Sequence, residues 1–139
     1  MQDQLKNNHI DFGNFQLSYT FNTSSGFPSL KCIDENYIAV LRFTTPGTSV
    51  SIALTADQLR YWFECLELST TNGGIYMQTL PIMRARREDS YLNAAIYKNK
   101  LSFRSGTMFI SIDISDCPKE FTSYINEIWR ELDEKEGAW

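Results

Sequence analysis

A chain of 139 residues with 42% hydrophobic, 14% aromatic and 22% charged residues has the composition of one compact domain spanning 1–139, which excludes a disordered chain. At this length roughly 68–70% of the unfolded surface can be buried, so neither a disulfide nor a metal is required to hold a core. The net charge of −4 excludes a generally basic nucleic-acid binder and leaves only a local basic patch open.

The leader up to Asn8 lacks a basic segment followed by an apolar core, and no apolar run approaches the ~18 residues that span a bilayer. A cytoplasmic protein with no membrane partner is expected. His9, the single histidine, lies in this polar leader and reads as a solvated terminal residue. A strand is predicted over 12–21, with aromatics at Phe15, Tyr19 and Phe21, and Ser24-Ser25-Gly26 then turns the chain. A short strand over 29–33 is closed by Asp34-Glu35-Asn36. The β-branched and aromatic run 37–44 leads through the turn Thr45-Pro46-Gly47-Thr48 into Val50, Ile52 and Leu54, which alternate with small polar residues. Thr55-Ala56-Asp57-Gln58 is a capping box, opening a helix whose Leu59, Trp62, Phe63 and Leu66 share one face. That helix must end before Gly73-Gly74.

The second half repeats this order. Strands are predicted over 75–84 and 91–97, separated by the charged Arg86-Arg87-Glu88-Asp89. Leu101-Ser102-Phe103, the turn Arg104-Ser105-Gly106-Thr107 and the alternating Ile110, Ile112 and Ile114 form a hairpin. Pro118 suits the first turn of a helix carrying Phe121, Tyr124, Ile125, Ile128, Trp129 and Leu132 as one apolar stripe. A gapless shift of 60 places Tyr37 on Tyr97, Leu41 on Leu101, Phe43 on Phe103, Ser51 on Ser111, Ile52 on Ile112 and Thr55 on Ser115. The fold class is therefore α+β: two ββββα repeats, about 12–70 and 74–136. Halves of about 60 residues are marginal alone, so one fused core is expected.

The sequence holds no nucleophile motif, phosphate loop or paired histidines, so no catalytic residue, metal or cofactor is expected. Cys32, Cys65 and Cys117 are widely spaced and read as free thiols. Charge is more informative. Arg84, Arg86, Arg87, Lys98, Lys100 and Arg104 face only Glu88 and Asp89 within 84–104, with Tyr91, Tyr97 and Phe103 interleaved. Such a mixture of charge and stacking rings serves single-stranded nucleic acid, and equally serves to protect a sheet edge. The last helix is acidic, and Glu127, Glu131 and Glu134 lie toward its end, where the helix dipole does not call for them.

The double ββββα order over about residues 12–132 resembles the Whirly fold, which is similar in outline to the PUR-repeat binders of single-stranded nucleic acid. Tyr97-Lys98-Asn99-Lys100-Leu101-Ser102 is the segment nearest to the lysine-rich strand motif of plant Whirly proteins, without the small residues after its second lysine. The small, acidic organisation also resembles the Whirly-like immunity proteins of bacterial contact-dependent growth inhibition. That resemblance implies a protein that binds and occludes a cognate toxin domain, commonly a nuclease, with Asp34, Glu35, Tyr37, Glu127, Glu131 and Glu134 as candidate contacts. The alternative it leaves open is a single-stranded DNA or RNA binder using Tyr97, Lys98, Lys100, Phe103 and Arg104. Neither resemblance implies an oligomeric state.

Overall fold

Alternating apolar residues make the strands and two i, i+4 stripes make the helices of the computed structural model, which describes residues 8–23, 37–71, 77–83 and 92–137. In chain order these are β1 (His9–Asp11), β2 (Gln16–Thr23), β3 (Tyr37–Thr45), β4 (Thr48–Leu54), α1 (Ala56–Thr71), β5 (Gln78–Leu80), β6 (Asn93–Tyr97), β7 (Lys100–Ser105), β8 (Met108–Asp113) and α2 (Pro118–Gly137). The strands form two antiparallel sheets, β1-β2-β3-β4 and β5-β6-β7-β8, each followed by a helix. The expected double ββββα order is present.

Two strand assignments in the first half change. The segment expected to begin a strand at Phe12 is instead a turn: Gly13 takes φ +100, its N–H donates to Asp11 Oδ1 at 2.8 Å, and Phe12 N donates to Phe15 O. The first strand therefore lies ahead of it, and His9 is a strand residue rather than a terminal one. It pairs with Ser18 and remains exposed, with Nε2 donating to Gln16 Oε1 at 3.1 Å. The strand expected over 29–33 lies outside the described residues. In the second half β5 stops before Pro81, which has no N–H for the ladder.

The 60-residue shift holds pair for pair through the last hairpin of each half. Leu41 pairs with Ile52 and Phe43 with Val50, as Leu101 pairs with Ile112 and Phe103 with Ile110. Beyond the hairpin it fails. The first α-helical bonds run from Leu59 N to Thr55 O and from Phe121 N to Cys117 O. Ser115 and Asp116 are thus two inserted residues, and the counterpart of Thr55 is Cys117, not Ser115. Tyr37 and Tyr97 are also not equivalent. Tyr97 lies on β6 opposite Lys100, where the first sheet has Thr20 opposite Val40, while Tyr37 lies on β3 opposite Thr23.

One hydrophobic cluster draws on both sheets and both helices. Phe43 and Phe103, equivalent residues of the two halves, meet with ring centroids 5.1 Å apart; Trp62 lies within 6.5 Å of each and Phe121 6.3 Å from Phe43. Trp62 also donates from Nε1 to Pro81 O at 2.7 Å, so its buried N–H is satisfied. Each half reaches the last strand of the other. Met83 N donates to Ala53 O, and Asn14 Nδ2 donates to Asp113 O, both at 2.9 Å, and Ala53 and Asp113 are themselves equivalent. The α1 and α2 stripes close the inner faces with Leu59, Trp62 and Leu66 and with Phe121, Ile125, Ile128 and Leu132, all inaccessible or nearly so. This leaves the outer face of the second sheet to solvent, and that of the first except at Ile38, which is wholly inaccessible.

Candidate nucleic-acid interface

On the second sheet, the alternation that buries Ile96, Leu101, Phe103 and Ile110 sends their neighbours outward. Register arranges these neighbours in three rows across the strands. The middle row is small: Thr79, Ala95, Ser102 and Ser111. On one side Tyr97 lies beside Lys100, which lies beside Asp113; on the other Asn93 lies beside Arg104, which lies beside Phe109. Tyr97 is 44% exposed and Phe109 56%, unusual for rings this large and open to stacking. Each ring carries a cation: Lys98 Nζ stands 5.3 Å from the Tyr97 centroid, and the Arg104 guanidinium 5.5 Å from that of Phe109. The result is a floor of small side chains between two cation–aromatic pairs.

The turn from β6 to β7 shapes one edge of this face. Lys98 and Asn99 have φ of 52° and 58°, so both central residues of a two-residue hairpin turn are left-handed. Asn tolerates that conformation, while Lys has no local hydrogen bond to compensate for it. Lys100 and Asp113 are cross-strand partners. Hydrogen bonds from Ser115 Oγ and N, and then the charge of Lys100, hold the Asp113 carboxyl below its usual range.

The structure separates the five residues expected to meet nucleic acid. Tyr97, Lys98, Lys100 and Arg104 share this outer face or its edge. Phe103 does not: it points inward, is 0% exposed and packs on Phe43 and Trp62, so it cannot stack on a base. Its two-residue offset from Leu101 carried the inward phase and could have shown this. Phe109, which sequence reasoning missed, takes the stacking position instead, because it alternates with the buried Ile110 and Ile112. Arg84, Arg86, Arg87 and Tyr91 lie outside the described residues.

The acidic candidates gather on α2, above the first sheet. Glu127 and Glu134 are exposed, and Glu131 is half-buried on the same helical face. Glu131 is not a free surface charge, since its Oε2 accepts from Tyr19 Oη at 2.5 Å. Burial and then this bond push the Tyr19 hydroxyl well above the ordinary tyrosine range; burial, with Glu131 and Glu127, pushes Tyr124 up to about 12. Tyr37 lies half-buried near this end of the sheet, two residues before Ala39, whose partner Phe21 sits under Lys135 Nζ at 5.5 Å. Asp34 and Glu35 lie outside the described residues.

Elsewhere the chemistry is sparse. Cys65 is buried and Cys117 half-buried, both are free, and burial pushes both thiols away from the thiolate form; Cys32 lies outside the described residues. Among the described residues no three His, Cys, Asp or Glu side chains converge as metal ligands, and no helix is long and apolar enough to cross a membrane. A cavity of 260 Å³ opens near the turns of the first sheet, lined by Asp11, Asn14, Gln16, Thr44 and Thr45 among others. No protein-family model, curated protein or solved structure matches the chain.

Proposed function

We propose that this protein binds single-stranded nucleic acid on the outer face of its second sheet. The observation that carries this reading is the pairing of exposed rings with cations, Tyr97 with Lys98 and Phe109 with Arg104, on either side of a floor of small residues. Bases stack on exposed rings whatever their sequence, and cations beside the rings meet the phosphates. The left-handed Lys98 supports the same reading, because a hairpin selected for stability alone favours Gly or Asn at both central positions. The test is fluorescence anisotropy with labelled oligo-dT and oligo-U at increasing salt. Lys98, Lys100 and Arg104 neutralising three phosphates predict a log–log slope of about −2, from about −0.7 per phosphate. Flat anisotropy at low salt sinks the proposal.

A second reading, an immunity protein occluding a toxin domain, is favoured by a different observation: the exposed Glu127 and Glu134 share one face of α2 with Glu131, which is bonded to Tyr19 of the first sheet. Carboxylates so placed can occupy a nuclease's phosphate-binding surface. Growth with the C-terminal domain of the upstream gene's product, with and without this protein, tests it. Rescue that is lost with Glu127→Lys plus Glu134→Lys supports the reading, and a harmless domain or unrelieved toxicity removes it. Glu131 is left intact in that test because of its bond to Tyr19.

A further inference from the structure

We infer that nucleic acid is held by the second half alone, as one short strand per chain running diagonally between Tyr97 and Phe109. This rests on the single-strand reading above and adds what the repeat predicts and the residues deny. A duplicated fold presents two equivalent outer faces, so two equivalent sites are the default expectation. Register identifies the counterparts without ambiguity. Where the second sheet has Tyr97, Lys100, Arg104 and Phe109, the first has Thr20, Val40, Thr44 and Ser49. Each cation and each ring is replaced by a neutral, smaller side chain.

What remains on the first sheet's outer face is unsuited to a phosphate chain. Arg42 replaces Ser102 in the middle row, and its Nη2 donates to Ser49 Oγ at 3.3 Å. Among the described residues this face exposes no Phe, Tyr or Trp; its exposed ring is the imidazole of His9, beside Ser18 in the middle row and donating to Gln16 Oε1 at 3.1 Å. Ile38 is placed outward by alternation yet is wholly inaccessible, so that end of the face is closed as well.

The geometry also sets the length of strand. Lys100 and Arg104 are four residues apart along β7, and β6 and β8 flank it, so Tyr97 and Phe109 stand diagonally about 16 Å apart. A stacked single strand rising ~3.4 Å per nucleotide covers that distance in about five nucleotides. The ligand class is therefore a short single-stranded segment read by stacking, with no base-edge code.

The experiment is a stoichiometric anisotropy titration of the full chain with oligo-dT and oligo-U of graded length, repeated with Tyr97→Ala, Phe109→Ala and Arg42→Ala. All three side chains are exposed, so melting curves should match wild type and certify the fold. The expected result is one strand per chain for short oligomers, with affinity rising steeply up to about five or six nucleotides and only gradually beyond. Each ring variant should lose roughly tenfold to a hundredfold in affinity, and Arg42→Ala should lose none. No binding by wild type overturns the single-strand reading itself. Binding that persists in both ring variants, that saturates at two strands per chain, or that falls with Arg42→Ala overturns the one-sided site while leaving that reading in place. A preference for dT over U, or the reverse, decides between DNA and RNA as the source of the strand.

Discussion

The two halves of this chain are most alike where they touch and least alike where they face solvent. Leu41 and Phe43 repeat as Leu101 and Phe103, with the same cross-strand partners, because both pairs are packed into one cluster. The outer faces bear no such constraint, and there Val40 and Thr44 stand against Lys100 and Arg104. The connections differ too. β6 passes to β7 through Lys98 and Asn99 alone, whereas β3 begins fourteen residues after β2 ends at Thr23. Packing preserves a repeat, and surfaces released from packing are where one half can acquire a task that the other lacks.

The largest test of this comparison is in the core. Phe43→Ala and Phe103→Ala should each cost about 3–5 kcal/mol, since each removes a ring packed on its counterpart and on Trp62. Urea unfolding monitored by tryptophan fluorescence measures both. Similar losses mean that the halves share one core. A Phe103→Ala variant close to wild type would break that equivalence and return Phe103 to the surface role its sequence context suggested.

A smaller test lies at the helix entries, where the halves differ by design of their sequences. Thr55 and Gln58 form the capping box in full: Gln58 N donates to Thr55 Oγ1 at 3.2 Å, and Thr55 N donates to Gln58 Oε1 at 3.0 Å. At the equivalent position α2 has Cys117, whose thiol is a poor acceptor, with Glu120 already standing three residues on. Thr55→Ala should lose about 1 kcal/mol, and Cys117→Ser should gain about 0.5–1 kcal/mol by completing Ser-x-x-Glu. Thermal melts of the two variants should therefore move in opposite directions. If Cys117→Ser leaves the melt unmoved, the two-residue offset between the helices is misplaced.

Much of this was legible because it depends on local period. The hairpins follow from alternation, the first helix from its capping box, and the buried α2 stripe from Phe121, Ile125, Ile128 and Leu132. The turn at Gly13 was hidden because Phe12 and Phe15 continue the apolar look of a strand through it. The repeat was found through its core residues, but Tyr37 and Tyr97 matched in letter and not in place, since the two halves reach β3 and β7 by connections of different length. The candidate site was half visible. Its cations stood out as a run, while its rings required knowing the strand phase: Phe103 shares the buried parity of Leu101, and Phe109 the exposed parity of Ser111. Interleaving along the chain does not show which side of a sheet a ring occupies.

The smallest effect to measure concerns the turn that only the second half has. Lys98 at φ 52° bears the left-handed cost of an L-residue, about 1–2 kcal/mol, which glycine avoids at an entropic cost of about 0.5–1 kcal/mol. Lys98→Gly should therefore raise stability by about 0.5 kcal/mol while reducing the salt slope of binding by about 0.7, the share of one phosphate. Lys98→Asn, which keeps a side chain suited to the turn and removes only the charge, should lower the slope equally. Opposite signs in stability and binding would identify Lys98 as a residue held in a strained place for its charge. If neither variant alters the slope, the cation over Tyr97 has a local role, and binding on this face falls to Lys100 and Arg104.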